Sequence, residues 1–310
     1  MSMRCRWALL CLSGVLAGIG IEAQERPLRR TDPFRSGIEV IRITATVFDA
    51  EGNLVAGLPR DVFEVYEDGA GQTVTQFTNE RVPVSLAVLL DASDSMYGRR
   101  IQDAREAVEH FLFELLDPSD EFLLLAFNHR PSVLTEWTRA KDVVQPALSN
   151  LQPFGGTALY DAVMTSLPLI ANRKEQRAAI LLISDGADSA SDASLLQLRT
   201  AMLRSDVFAY AIAVNSPDPR PINAQVNPVA LREITDGSGG RTEVIQDTTD
   251  LQAATARIAE ELNNQYLLGY DSPHGPDGRY HSIRVRVKGG AYRVRARNGY
   301  VAGTVPSKGP

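Results

Sequence analysis

Cysteine is the first thing this sequence is short of. The 310 residues contain 2, Cys5 and Cys11. Both fall in residues 1–23, which read as a cleavable export signal: Arg4 and Arg6, the apolar stretch Trp7–Ile21, then Glu22-Ala23-Gln24. That stretch is about 15 residues long, short of the roughly 20 that a membrane-spanning helix needs. Leu10 directly before Cys11 is a poor context for a lipoprotein. The expected mature chain therefore has no disulfide, no thiolate ligand and no cysteine nucleophile. It must hold together by packing alone, which roughly 285 residues can supply.

Lysine and histidine are scarce too. Lysine occurs only at 141, 174, 288 and 308, so the basic side chains are mostly arginine, and the net charge is -6. The arginines near the C-terminus alternate with apolar residues in Ile283–Val287 and Tyr292–Arg297, as in a sheet with one wet face. With the acidic balance and the export signal, this argues against a nucleic-acid surface. The 4 histidines are His110, His129, His274 and His281, and no pair has the spacing of a zinc-binding His-Glu-x-x-His helix. A Gly-x-Ser-x-Gly elbow and a phosphate-cradling Gly-Lys-Ser/Thr loop are both missing. No long apolar run follows the signal, so no stable membrane span is expected after cleavage.

What remains divides by pattern. Residues 24–37 are a polar, arginine- and proline-bearing linker. Residues 38–81 read as strands, Ile38–Phe48, Asp61–Glu67 and Gln72–Phe77, with turns at Asp49–Asn53 and Asp68–Gly71. From 82 to 262, apolar strands alternate with helices. The strands are Val84–Leu90, Glu121–Phe127, an antiparallel edge at Pro131–Trp137, Ala178–Ser184, Val207–Val214 and Arg241–Ile245. The helices are Arg99–Leu116, Arg139–Leu148, Ala158–Asn172, Ser191–Leu203 with Ser191 or Asp192 as cap, Asn227–Thr235 and Leu251–Leu262. This order predicts an α/β fold with a doubly wound, mostly parallel sheet. Residues 263–301 return to strand patterns, and 302–310 are a flexible tail. Neither β segment has strands enough to stand alone. The two are expected to pair into one discontinuous β domain flanking the α/β domain.

Chemistry-bearing residues gather at strand ends. Asp91-Ala-Ser93-Asp-Ser95 follows the first buried strand, Thr157 sits in Gly155-Gly156-Thr157, and Asp185-Gly186 closes a later strand. Open α/β sheets bind ligands beyond the carboxyl ends of their strands. Small hard oxygens there suit a divalent cation such as Mg²⁺. Taken singly, each residue also has an ordinary reading: strand-end aspartates cap loops, serines make turns, and Thr157 suits the cap of the helix that follows.

Together, Asp91-x-Ser93-x-Ser95, Thr157 and Asp185-Gly186 resemble the metal-ion-dependent adhesion site of von Willebrand factor type A domains. The resemblance spans residues 82–262. It implies a Rossmann-like topology, with Ser93, Ser95 and Thr157 as direct ligands and Asp91 and Asp185 binding directly or through water. It implies Mg²⁺ as the ion, with Mn²⁺ or Ca²⁺ as alternatives, and a protein partner whose carboxylate completes the coordination. Leu58–Asp68, Gln265–Tyr270 and Val294–Tyr300 further resemble the flanks of exported bacterial proteins of this group, which implies a periplasmic or secreted location. Binding, not turnover, is the expected function. An envelope scaffold with a stabilising metal is the alternative, and a metal-assisted hydrolase ranks below both because no general base is positioned. Asp161, Asp188 and Ser189 are candidate neighbours of the site, and Tyr97 and Phe154 candidate rim residues.

Overall fold

A computed structural model describes residues 40–215 and 226–303. The expected signal peptide, the linker and the end of the tail lie outside the described residues. The elements run β1 Val40–Phe48, β2 Phe63–Glu67, β3 Ala70–Gln72, β4 Val74–Thr78, β5 Val84–Asp91, α1 Arg99–His110, β6 Glu121–Phe127, β7 Pro131–Thr138, α2 Val144–Ser149 and α3 Leu159–Ala171. They continue with β8 Arg177–Ser184, α4 Leu195–Arg204, β9 Phe208–Val214, α5 Pro228–Thr235, β10 Thr242–Ile245, α6 Thr248–Asn263, β11 Tyr266–Asp271, β12 Tyr280–Val287, β13 Arg293–Ala296 and β14 Gly299–Val301.

The central sheet has the order β10-β9-β8-β5-β6-β7. Its strands are parallel except β7, which pairs antiparallel with β6. Strands β5, β6, β8 and β9 are buried along their whole length, which explains their unbroken apolar runs. Alternate residues of β5 point to opposite faces. Leu86, Val88 and Leu90 pack against α1, α2 and α6, whereas Ala87 and Leu89 pack against α3, α4 and α5. This is the doubly wound α/β arrangement expected from the sequence.

Two antiparallel sheets of four strands accompany it, β13-β1-β11-β4 and β14-β12-β2-β3. Each combines strands from before the α/β region with strands from after it. In the first, β1 lies between β11 and β13; in the second, β12 pairs with β2. A common core joins the two: Ile41, Ile43 and Val47 of β1, Phe63 and Val65 of β2, Tyr266 and Leu268 of β11, and Ile283 of β12. Burying one apolar face of each sheet against the other gives these short strands the cover they lack individually.

Two local expectations are corrected. The cap of α4 is Ser194, not Ser191 or Asp192. The Ser194 Oγ accepts from Gln197 N at 3.3 Å, and Gln197 Oε1 accepts from Ser194 N at 2.7 Å, a reciprocal box. Ser191 is engaged elsewhere, as described below. The helix expected over Arg99–Leu116 is regular only to His110; Phe111–Leu115 winds more widely, with Leu116 N donating to Phe111 O at 2.9 Å.

Arg177, at the start of β8, stitches the places where the chain enters and leaves the α/β region. It is 6% exposed. Its guanidinium donates to Val82 O at 2.6 Å, to Leu262 O at 2.8 Å and to Gln265 Oε1. Burial lowers its pKa to about 10, which leaves it charged at neutral pH. Replacing it with methionine strands these buried acceptors. Arg177→Met is expected to lose about 3 kcal/mol, at roughly 1 kcal/mol per unmet acceptor. Urea unfolding checks this; a loss under about 0.5 kcal/mol contradicts the assigned role.

Candidate metal centre

Strand β5 ends in Asp91, and β8 ends in Ser184 immediately before Asp185. The two strands are adjacent and parallel, with Leu90 opposite Ile183. Their carboxyl ends therefore deliver Asp91 and Asp185 to one edge of the sheet. Asp91 is fully buried, and Asp185 is 1% exposed. Asp91 accepts from Ser93 N at 2.9 Å on one oxygen and from Ser184 Oγ at 2.6 Å on the other. Ser184 is a supporting residue that sequence reasoning passed over.

The hydroxyls of Ser93 and Ser95 lie 3.0 Å apart. The two hydroxyls hydrogen-bond to each other at this distance, which is also about the roughly 3 Å edge between adjacent ligands on an octahedron of about 2.1 Å radius. The third segment is tied down through its backbone. Asp94 N donates to Gly155 O at 3.0 Å, and Phe154 N donates to Ala92 O at 3.0 Å. Thr157, 3% exposed, follows directly. Its N–H donates to Ser189 Oγ at 3.0 Å, and its carbonyl accepts from Ser189 N and Ala190 N. Asp91, Ser93, Ser95, Thr157 and Asp185 thus come from three separated stretches into one network of loops.

Gly186 explains why glycine follows Asp185. Its φ is +83°, and a Cβ there would lie 2.3 Å from Asn227 O. The same close approach lets Asn227 N donate to Asp185 O at 2.8 Å. Any side chain would push the 226–227 backbone away and loosen the aspartate.

The electrostatics follow from burial. Loss of hydration, reinforced by the neighbouring Asp185 charge, raises the Asp91 pKa to about 7 despite its serine hydrogen bonds. Asp185 is offset by Arg100, 3% exposed, whose Nη1 lies 3.2 Å from Asp185 Oδ2 and also donates to Ser95 O at 3.2 Å. Sequence reasoning missed Arg100, although it lies on the helix that follows the Asp-x-Ser-x-Ser run. Two buried carboxylates share one guanidinium beside neutral hydroxyls. That donor set fits a hard divalent cation and offers nothing to a soft one.

Around this centre the other candidates take structural work. Asp188 Oδ1 accepts from Leu159 N at 2.9 Å, and Ser191 Oγ accepts from Tyr160 N at 3.0 Å and Asp161 N at 3.2 Å. These residues cap α3 from another segment, so Thr157 is not its cap. Asp161 accepts from Asp192 N and Ala193 N, both at 2.9 Å. Tyr97 and Phe154 are each 54% exposed.

Residues 86–187 match the family profile described as the von Willebrand factor type A domain. Among curated proteins, an uncharacterized protein of Synechocystis sp. is 26% identical over 49% of this chain and 36% of its own length. Inter-alpha-trypsin inhibitor heavy chain H4 of Homo sapiens is 23% identical over 74% of this chain and 25% of its own length. The chain thus spans well under half of the curated relatives it matches. Among solved structures, proximal thread matrix protein 1 from the mussel byssus, with zinc in its MIDAS motif, superposes with a TM-score of 0.50 at 15% identity. That match covers 63% of this chain and 49% of the other, and it is a likeness of fold.

The raised Asp91 pKa generates a prediction for metal-free protein. Because the folded value, about 7, exceeds the ordinary 3.8, the Asp91 contribution to stability is complete below about pH 4. It is lost as pH rises through about 7. In EDTA, Asp91→Asn is expected to gain on the parent between about pH 5 and about pH 8, by on the order of 2 kcal/mol. Paired thermal melts measure the difference; a gap that stays constant with pH contradicts the assignment.

Proposed function

The chain is a von Willebrand factor type A domain protein, and we propose that it is an exported, metal-dependent protein-binding module. Residues 82–262 are read as the type A domain, set into a flanking β domain made of 38–81 and 263–301. Ser93, Ser95 and Thr157 would hold a divalent cation directly, with Asp91 and Asp185 bound directly or through water. Mg²⁺ is the proposed ion, with Mn²⁺ or Ca²⁺ as alternatives.

The observation that carries this reading is the paired Asp91 and Asp185, buried at the sheet edge beside the 3.0 Å pair of serine hydroxyls. A bound ion would supply positive charge to a site whose neutral hydroxyls leave much of that charge exposed. A carboxylate from a partner protein is then the natural last ligand. The half-exposed rings of Tyr97 and Phe154, on the loops of this network, offer apolar contact to such a partner. Asp91 lies wholly inside, out of reach of a substrate, and Arg100 already pairs with Asp185. We therefore read the site as binding, not catalytic.

The proposed setting is the periplasm or the exterior of a bacterial cell. No helix among the described residues is long and apolar enough to cross a membrane.

The test is affinity capture from the native envelope with Mg²⁺ or EDTA, followed by titration of the recovered partner. Thr157→Ala is expected to weaken binding by more than about tenfold, because one direct ligand is lost. Aspartate-to-asparagine changes in the partner should do the same. Binding that ignores both EDTA and Thr157→Ala contradicts the proposal, and it would favour a scaffold in which metal only stabilises the fold.

A further inference from the structure

Two of the histidines that looked unrelated in sequence meet in the β sheets. His274 lies in the loop after β11, and His281 lies on β12. Their rings stack with centroids 4.0 Å apart and planes 17° from parallel. Glu67, at the end of β2, joins them. One ligand atom from each of Glu67, His274 and His281 lies within 4.8 Å of the others. The absence of zinc-like spacing was a poor guide, because the antiparallel pairing of β2 with β12 and the return of the 272–279 loop supply the proximity instead.

We propose that Glu67, His274 and His281 form a second metal site, taking a borderline divalent ion such as Zn²⁺. Two imidazoles and one carboxylate are a donor set for zinc and its neighbours, and differ from the all-oxygen set at the sheet edge. The surroundings are built as a metal site needs. Glu67 is 1% exposed, and its carboxylate accepts from Ser272 Oγ at 3.1 Å and from Tyr300 Oη at 2.5 Å. These donors are neutral hydroxyls, so they orient the carboxylate without cancelling its charge. His281, 4% exposed, has a carboxylate at each nitrogen: Asp68 Oδ2 at 2.8 Å from Nδ1 and Asp277 Oδ1 at 3.3 Å from Nε2. Whichever nitrogen takes the ion, the other keeps a carboxylate that fixes the ring and raises its basicity.

Charge also favours a cation. Glu67, Asp68 and Asp277 surround two imidazoles. Asp68 Oδ2 lies 3.6 Å from His274 Nε2 as well. Three carboxylates this close to the two imidazoles favour a cation held between them.

The stacked rings set a requirement. Nitrogen lone pairs lie in the ring planes, so two parallel rings cannot both point at one ion. One ring must tip. His274 is the one able to: its side chain is 39% exposed, against 6% for His281. The ion would then tie the 272–279 loop to β12 and β2.

The test uses the purified chain carrying Asp91→Ala, so that zinc in the first centre is not counted. Calorimetry with Zn²⁺ is expected to find one equivalent bound. Cobalt should give the visible absorption of a site with imidazole ligands. Adding His274→Ala, on the half-exposed loop, should weaken zinc by more than about tenfold while the fold survives. His281→Gln should act likewise. No zinc uptake by the Asp91→Ala chain overturns the proposal, as does uptake that His274→Ala leaves unchanged.

Discussion

Asp91 and Asp185, held out of water side by side, are the constraint on which the rest of the molecule turns. Each is placed there by backbone, because β5 and β8 are neighbouring parallel strands that end in register. The sheet is therefore more than support: its two faces of apolar packing force the two strand ends together. The loops then arrange themselves around the charge. Ser93 and Ser184 hydrogen-bond Asp91, Arg100 pairs with Asp185, and the 154–157 loop is sewn to the 92–94 segment through main-chain bonds. The proposed cation would supply the positive charge that this buried pair lacks.

The same insertion logic governs the antiparallel sheets. Strands from both ends of the chain share one core, so the α/β region is spliced between them and not strung alongside. Arg177 draws the two crossing points together, at Val82 and at Leu262–Gln265. Helix α6, which leads from the α/β region, runs almost directly into β11. A change at the proposed metal edge that moved α6 would pass directly into β11 and so to the β sheets, where the second proposed metal site lies.

Much of this was legible in sequence because the relevant signals were local. Unbroken apolar runs marked the central strands, and the placement of Asp91, Ser93, Ser95, Thr157 and Asp185 beyond strand ends marked one edge. Long-range pairings were less legible. Ser191 reads as a cap for α4 but serves α3, because its loop folds back onto another helix. Arg100 reads as an ordinary surface arginine on a helix until Asp185 is brought beneath it. His274 and His281 carry no spacing signal, since strand pairing and a loop return create their contact. β14 is 3 residues long and follows Asn298 too closely to stand out as a strand.

The measurement that tests the central claim most directly is anomalous X-ray scattering from crystals of this protein soaked in Mn²⁺. The account predicts a peak at the sheet edge, bonded to the hydroxyls of Ser93, Ser95 and Thr157 at about 2.1–2.3 Å, with Asp91 and Asp185 adjacent. A map with no peak there, at a concentration that saturates solution binding, would contradict it.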